Sequence, residues 1–176
     1  TYVVYGLEYE KLKDAMEDYQ ELFQTLKLGE PLLSQVDDYK ACVHYMIEDW
    51  KMSKDEVIVI AGHGTMGYAQ SAYTMLEYAF HSMGYPNVLV GTVNGYPNIT
   101  DVIQKLRYLN PGPLRIIPFM IVSGEHVYRS LTDGEESWLA RFRNIGFSST
   151  VVERGLGEIE GIQRIFAEHV KEAKES

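Results

Sequence analysis

Short runs rich in Val and Ile, most of them closed by Gly or a polar residue and separated by helical patterns, constrain this chain more than any other feature. The strand-like runs cover residues 2–5, 57–61, 87–93 and 114–122, with a weaker one at 150–153. Continuous apolar runs of this length read as strands buried on both faces, the pattern of parallel sheets. Helical patterns lie between them at 8–26, 36–51, 69–83, 99–108, 137–145 and 160–174. In the second, Val36, Tyr39, Val43, Met46, Ile47 and Trp50 recur at helical spacing against a polar opposite face and read as core. Strands alternating with helices demand right-handed crossovers. The expected fold is therefore α/β, three-layer α/β/α around an open, mainly parallel four-stranded sheet of Rossmann-like type. Gly29-Glu30-Pro31 and Pro111-Gly112-Pro113 punctuate the chain. The first marks an expected domain boundary, because the unit 57–153 is complete without the opening strand and helix. A strand at the very start needs a neighbour, so an element upstream of it is expected.

Charge and cysteine content exclude whole classes of function. With 16 Lys and Arg against 25 Asp and Glu, the net charge of −9 argues against nucleic acid as a partner, which needs a basic face. A local Arg cluster can still hold a small anion. Cys42 is the only cysteine, which rules out an internal disulfide and any Cys-based zinc site. It reads as a small buried residue. No run approaches the roughly 20 apolar residues of a membrane-spanning helix. No basic-then-apolar leader is present either, so the cytoplasm is the expected compartment.

In an open parallel sheet, ligands bind beyond the carboxyl ends of the strands, near the reversal of strand order. The residues after each strand are therefore where chemistry is expected. They are Gly62-His63-Gly64-Thr65-Met66-Gly67, Val93-Asn94-Gly95-Tyr96-Pro97 and Ser123-Gly124-Glu125-His126. With the 57–61 strand between its two neighbours, each about 4.8 Å away, all three loops share one edge. His63 and His126 are then expected to converge, with Asn94 close by. Neutral imidazoles suit a borderline divalent ion such as Co, Ni, Fe or Zn. His44, His81 and His169 fall inside helical patterns and read as structural. Two other readings compete. Gly62-x-Gly64-x-x-Gly67 matches the dinucleotide fingerprint of an oxidoreductase, although His63 stands where that motif wants a small residue and Asn94 where it wants an acid. A non-catalytic metal or tetrapyrrole binder would use the same histidines without turnover.

An ordered set of short segments adds a resemblance. These are Gly6-Leu7-Glu8-Tyr9-Glu10-Lys11, Gly29-Glu30-Pro31-Leu32-Leu33-Ser34, Gly62-His63-Gly64 and Gly95-Tyr96-Pro97. Next come Pro118-Phe119-Met120-Ile121-Val122-Ser123-Gly124-Glu125-His126, Asp133-Gly134-Glu135-Glu136-Ser137-Trp138 and Gly155-Leu156-Gly157-Glu158. In this order and spacing the chain resembles the anaerobic-type sirohydrochlorin cobaltochelatases of the class II chelatase group. The resemblance implies a chelatase-like fold with two similar α/β halves and an active site in the cleft between them. It implies that residues 1–34 are the last strand and crossover helix of the first half, and 35–176 the second half. It further implies that His63 is a metal ligand and proton acceptor, that His126 is a second ligand, and that Glu8 lines the site. Asn94 stands where the family commonly has a third metal ligand, Glu.

The activity so implied is insertion of Co²⁺ into sirohydrochlorin in cobalamin (anaerobic corrin) biosynthesis, with Ni²⁺ or Fe²⁺ as other metals and no organic cofactor. Insertion removes two pyrrole protons, and an imidazole titrating near neutrality suits that task. His63 is expected at a helix N-terminus, whose dipole favours the neutral ring. Sirohydrochlorin is rich in carboxylates, so Arg129, and less so Arg154, are candidates at the rim. Tyr96, Met120 and Trp138 are expected in the core rather than on the macrocycle. The opening strand and helix are expected to expose an apolar face that invites self-association into a homo-oligomer.

Overall fold

Four strands, β1 (Val57–Gly62), β2 (Val88–Thr92), β3 (Pro113–Phe119) and β4 (Ser148–Val151), form one parallel sheet in the order β2-β1-β3-β4. The computed structural model describes residues 2–110, 112–122 and 124–175, apart from the side chains of His126 and Val127. The expected central place of the 57–61 strand is observed. Ile58 pairs with Val88 on one side and Arg115 on the other.

Alternation along the strands assigns the two helical layers. Ile58, Ile60, Val88, Val90, Ile117 and Phe119 face one way. There they meet α2 (Val36–Asp49), α3 (Ser71–Ser82) and α7 (Glu160–Glu175). Val59, Ala61, Leu89, Leu114 and Ile116 face the other way, onto α4 (Ile99–Leu106), α5 (Glu125–Thr132) and α6 (Trp138–Asn144). This is the three-layer arrangement read from the strand–helix alternation. Cys42 is fully buried between α2 and its neighbours, as expected, and burial pushes its thiol well above the ordinary range. No helix among the described residues is long and apolar enough to cross a membrane.

Two side chains and one backbone carbonyl close the exposed edge of β2. The Val90 amide donates to Glu77 Oε2 at 2.7 Å, and His81 Nε2 lies 2.8 Å from the Val88 carbonyl. The Thr92 amide donates to the Pro97 carbonyl at 2.7 Å. An edge so occupied offers little to a further strand. His169 is also structural, as its helical context suggested. Its ring lies between the Glu30 carbonyl and Asp38 Oδ1, each 3.2 Å away, and it joins α7 to the start of α2.

Three expectations need correction. Residues 2–5 are not a strand: the Tyr2 and Val3 carbonyls accept from the Leu32 and Leu33 amides, at 2.8 and 2.9 Å, and no ladder forms. The helix expected over 8–26 is α1 (Leu7–Tyr19) followed by a single 3₁₀ turn, Gln20–Leu22. It buries only Tyr9, too little packing to carry a longer helix. The strand expected over 114–122 ends at Phe119. Beyond it the Met120 and Ile121 carbonyls accept the Leu156 and Gly157 amides, at 2.8 and 2.9 Å, from a 3₁₀ turn (Leu156–Glu158) rather than a strand.

Candidate functional site

The chain runs from β1 outward to β2, then crosses back to β3 on the other side of β1. A crevice therefore opens at the carboxyl ends of β1 and β3. A cavity of about 560 Å³ occupies this position. The loop after β1 forms one wall and residues 2–9 form the other. Phe119, Ile121 and Val122, at the end of β3, add apolar surface.

The two glycines around His63 are dictated by close packing. A Cβ on Gly62 would come within 2.2 Å of a ring carbon of Tyr73. One on Gly64 would sit 1.9 Å from the Asn94 carbonyl oxygen, at a φ of 93° that disfavours any side chain. Between them His63 has no room inward and is exposed at the cavity. The backbone here is fastened on several sides. Gly62 O accepts from the Val93 amide at 2.9 Å and His63 O from the Asn94 amide at 2.8 Å. The Gly64 amide donates to the Tyr73 hydroxyl at 3.1 Å.

His63 Nδ1 lies 3.1 Å from the Gly64 carbonyl oxygen. A carbonyl only accepts, so Nδ1 carries a proton, and in the neutral ring the lone pair is then on Nε2. That is the tautomer needed to bind a cation or take up a proton. The expected dipole assistance is not seen. α3 begins at Ser71, beyond a 3₁₀ turn at Gly67–Gln70, so His63 lies outside the first helical turn where such an effect acts.

The structure brings His63, Asn94 and Glu8 to one cavity. His63 and Asn94 are joined through their backbones on one wall, and Glu8 stands on the other, paired with Lys11 at 2.9 Å. Gly6 seats that second wall on the first: a Cβ there would be 2.7 Å from Thr65 Oγ1. Gly124, at the start of α5, also lines the cavity. His126 lies on α5 two residues later, and its side chain is outside the described residues. Arg129 is exposed and ion-paired with Glu125, while Arg154 pairs with Asp49 at 2.9 Å and Glu158 at 3.5 Å. Neither lines the cavity. Trp138 is in the core, edge-on to Phe142, as expected. Met120 is buried but lines the cavity, and Tyr96 is exposed rather than in the core.

Tyr73 is the site residue that the sequence reading missed. It sits in a helical apolar pattern, and only the adjacent glycine pair hinted that a large ring needed space. Burial pushes its phenol up, opposed in part by the bond from Gly64, so it stays neutral. The dinucleotide reading loses its physical basis here. The second glycine of such a motif admits a pyrophosphate, whereas the space beside Gly64 is filled by the Asn94 backbone.

Among the described residues, no group of three or more His, Cys, Asp or Glu is placed to hold a metal.

The sequence model of the family described as cobalt chelatase (CbiK) matches residues 1–175. The sirohydrochlorin cobaltochelatase of Salmonella typhimurium is 31% identical over 174 residues, covering 98% of this chain and 66% of that protein. Sirohydrochlorin cobaltochelatase CbiKC of Nitratidesulfovibrio vulgaris is 26% identical over 177 residues, covering 98% and 62%. The chain thus spans a little under two thirds of the length of these relatives. Among solved structures, SirB from Bacillus subtilis with Fe³⁺ has the same fold, with a TM-score of 0.63 at 15% identity over 92% of this chain and 64% of that one.

Proposed function

The chain belongs to the cobalt chelatase (CbiK) family, and on that premise we propose that it inserts Co²⁺ into sirohydrochlorin as a metal-inserting lyase. The relatives that carry this activity in their names match almost the whole chain. The observation that carries the reading is His63, whose Nε2 lone pair is free beside a largely apolar cavity.

Insertion exchanges two pyrrole N–H protons for one divalent cation. Apolar walls from Val4, Leu7, Phe119 and Ile121 suit the face of a conjugated macrocycle, whose carboxylates would remain toward solvent. His63 Nε2 then serves as cation ligand before transfer and as proton acceptor during it. Glu8, on the facing wall, is the second proton acceptor. Asn94 offers a neutral carbonyl oxygen, a weaker ligand than carboxylate, and His126 is the further imidazole of the proposal. Arg129 would have to leave Glu125 before it could meet a substrate carboxylate. Imidazole and amide donors also suit Ni²⁺ and Fe²⁺, so Co²⁺ is proposed on the relatives rather than on ligand chemistry.

The test mixes the purified chain with sirohydrochlorin and Co²⁺ and follows the absorbance change on metallation. His63→Ala should lower the rate by about 100-fold or more, with the thermal midpoint unchanged because the side chain is exposed. Full activity in that variant would defeat the assignment. Tight macrocycle binding with no metallation by the unaltered chain would replace it with a carrier.

A further inference from the structure

The peptide that joins His63 to Gly64 is held from both sides. Its carbonyl, on His63, accepts the Asn94 amide at 2.8 Å, and its N–H, on Gly64, donates to the Tyr73 hydroxyl at 3.1 Å. The carbonyl of the next peptide, on Gly64, is the group that holds His63 Nδ1 at 3.1 Å. Tyr73 therefore reaches the imidazole through a single residue. It comes from α3, its side chain is buried, and its ring fills the space left by Gly62. No other described residue meets the Gly64 amide.

We propose that Tyr73 is a positioning residue for His63, its hydroxyl fixing the Gly64 backbone so that the Gly64 carbonyl holds the imidazole with Nε2 free. The proposal rests on the reading of His63 as proton acceptor and cation ligand. Gly64 has a φ of 93°, a conformation open to a glycine but not compelled by one. The Tyr73 hydroxyl on one side and the Asn94 backbone on the other hold it there. Removing that hydroxyl leaves the peptide held by the Asn94 amide alone, so its plane tilts more widely and the carbonyl beyond it no longer stays fixed on Nδ1. The imidazole then samples both tautomers, and the one with Nε2 protonated neither binds a cation nor takes a proton at that atom.

Tyr73→Phe keeps the ring against Gly62 and deletes only the oxygen. The Gly64 amide should exchange with solvent about tenfold faster, and the ¹⁵N spectrum of His63 should move from one tautomer to a mixture. Affinity for Co²⁺ alone should fall about tenfold, the lower end of what loss of a ligand's supporting partner costs. The kcat for insertion should fall with little change in KM for the macrocycle. Phe80→Leu, on the same helix and in the same core, supplies the control for lost packing: it lowers the thermal midpoint and leaves all four readouts unchanged. If Tyr73→Phe behaves like Phe80→Leu, with tautomer and Gly64 exchange as in the unaltered chain, the positioning role is wrong. Those two readouts need neither metal nor macrocycle. They decide Tyr73 even if His63→Ala shows that the proposed activity itself is mistaken.

Discussion

Across the cavity, the loop 62–65 and the segment 2–9 face each other with very different support. The loop is bonded to the 93–94 backbone and to Tyr73, and two of its glycines are packed to the limit of contact. The segment is tied by two backbone bonds to Leu32 and Leu33 and by Tyr9, whose hydroxyl donates to the Gly29 carbonyl at 3.4 Å. Tyr2 and Tyr5 stand edge-on to the Tyr9 ring, at 5.8 and 5.2 Å. The helices behind the two walls repeat the contrast. α2 buries Tyr39, Cys42, Val43 and Met46, whereas α1, nearly as long, buries Tyr9 alone. Regions with few buried contacts open at lower free energy than the core. The imidazole therefore sits on the better-supported wall, and Glu8 on the one that opens at lower free energy.

The largest effect should come from Gly64→Ala, which forces a methyl against the Asn94 carbonyl at an unfavourable φ. A loss of about 2–4 kcal/mol is expected in denaturant unfolding. A loss below about 1 kcal/mol would mean that the first wall is not the rigid one. Tyr9→Ala should cost less, about 1–2 kcal/mol, and act locally. Hydrogen exchange should accelerate over residues 2–19 far more than in β1, and equal acceleration in both would make the two walls one cooperative unit.

A third outcome concerns the core behind the rigid wall. Burial, with smaller contributions from Cys42, Asp38 and Tyr73, pushes the Tyr39 phenol from its ordinary value of 10.0 up to about 12. The folded chain thus holds this proton more tightly than the unfolded chain does. The stabilisation is complete below pH 10 and is lost as pH rises toward 12. Thermal midpoints measured from pH 9 upward should fall less steeply in Tyr39→Phe than in the unaltered chain, and parallel curves would refute the assignment. The smallest effect belongs to the exposed end of the second wall's helix. Leu22 is 74% exposed, so Leu22→Ser should change stability by no more than about 0.5 kcal/mol. A larger loss would mean that this face is covered in solution.

Much of the sheet was legible because parallel strands buried on both sides leave an unbroken apolar trace. The places of β1, β2 and β3, and the central position of β1, were read correctly to within a few residues. The opening run 2–5 was misread for the same reason. Val3 and Val4 look like strand residues, but a strand exists only where a neighbour offers a ladder. α5 went unread because its first residues, Glu125 and His126, read as part of the loop after β3. At the site, Gly62-His63-Gly64 stood out by its position after a strand, and Asn94 and Glu8 do share its cavity.

From sequence alone came the α/β class, the loop that carries the imidazole and the family resemblance, all properties of short, contiguous patterns. Tertiary structure alone decided that Tyr73 braces that loop and that the Asn94 backbone fills the space beside Gly64. Each of these depends on atoms from separate turns or elements meeting within about 3 Å, the range of a hydrogen bond. Local periodicity carries no information about contacts of that kind, which arise only when the layers close on the sheet.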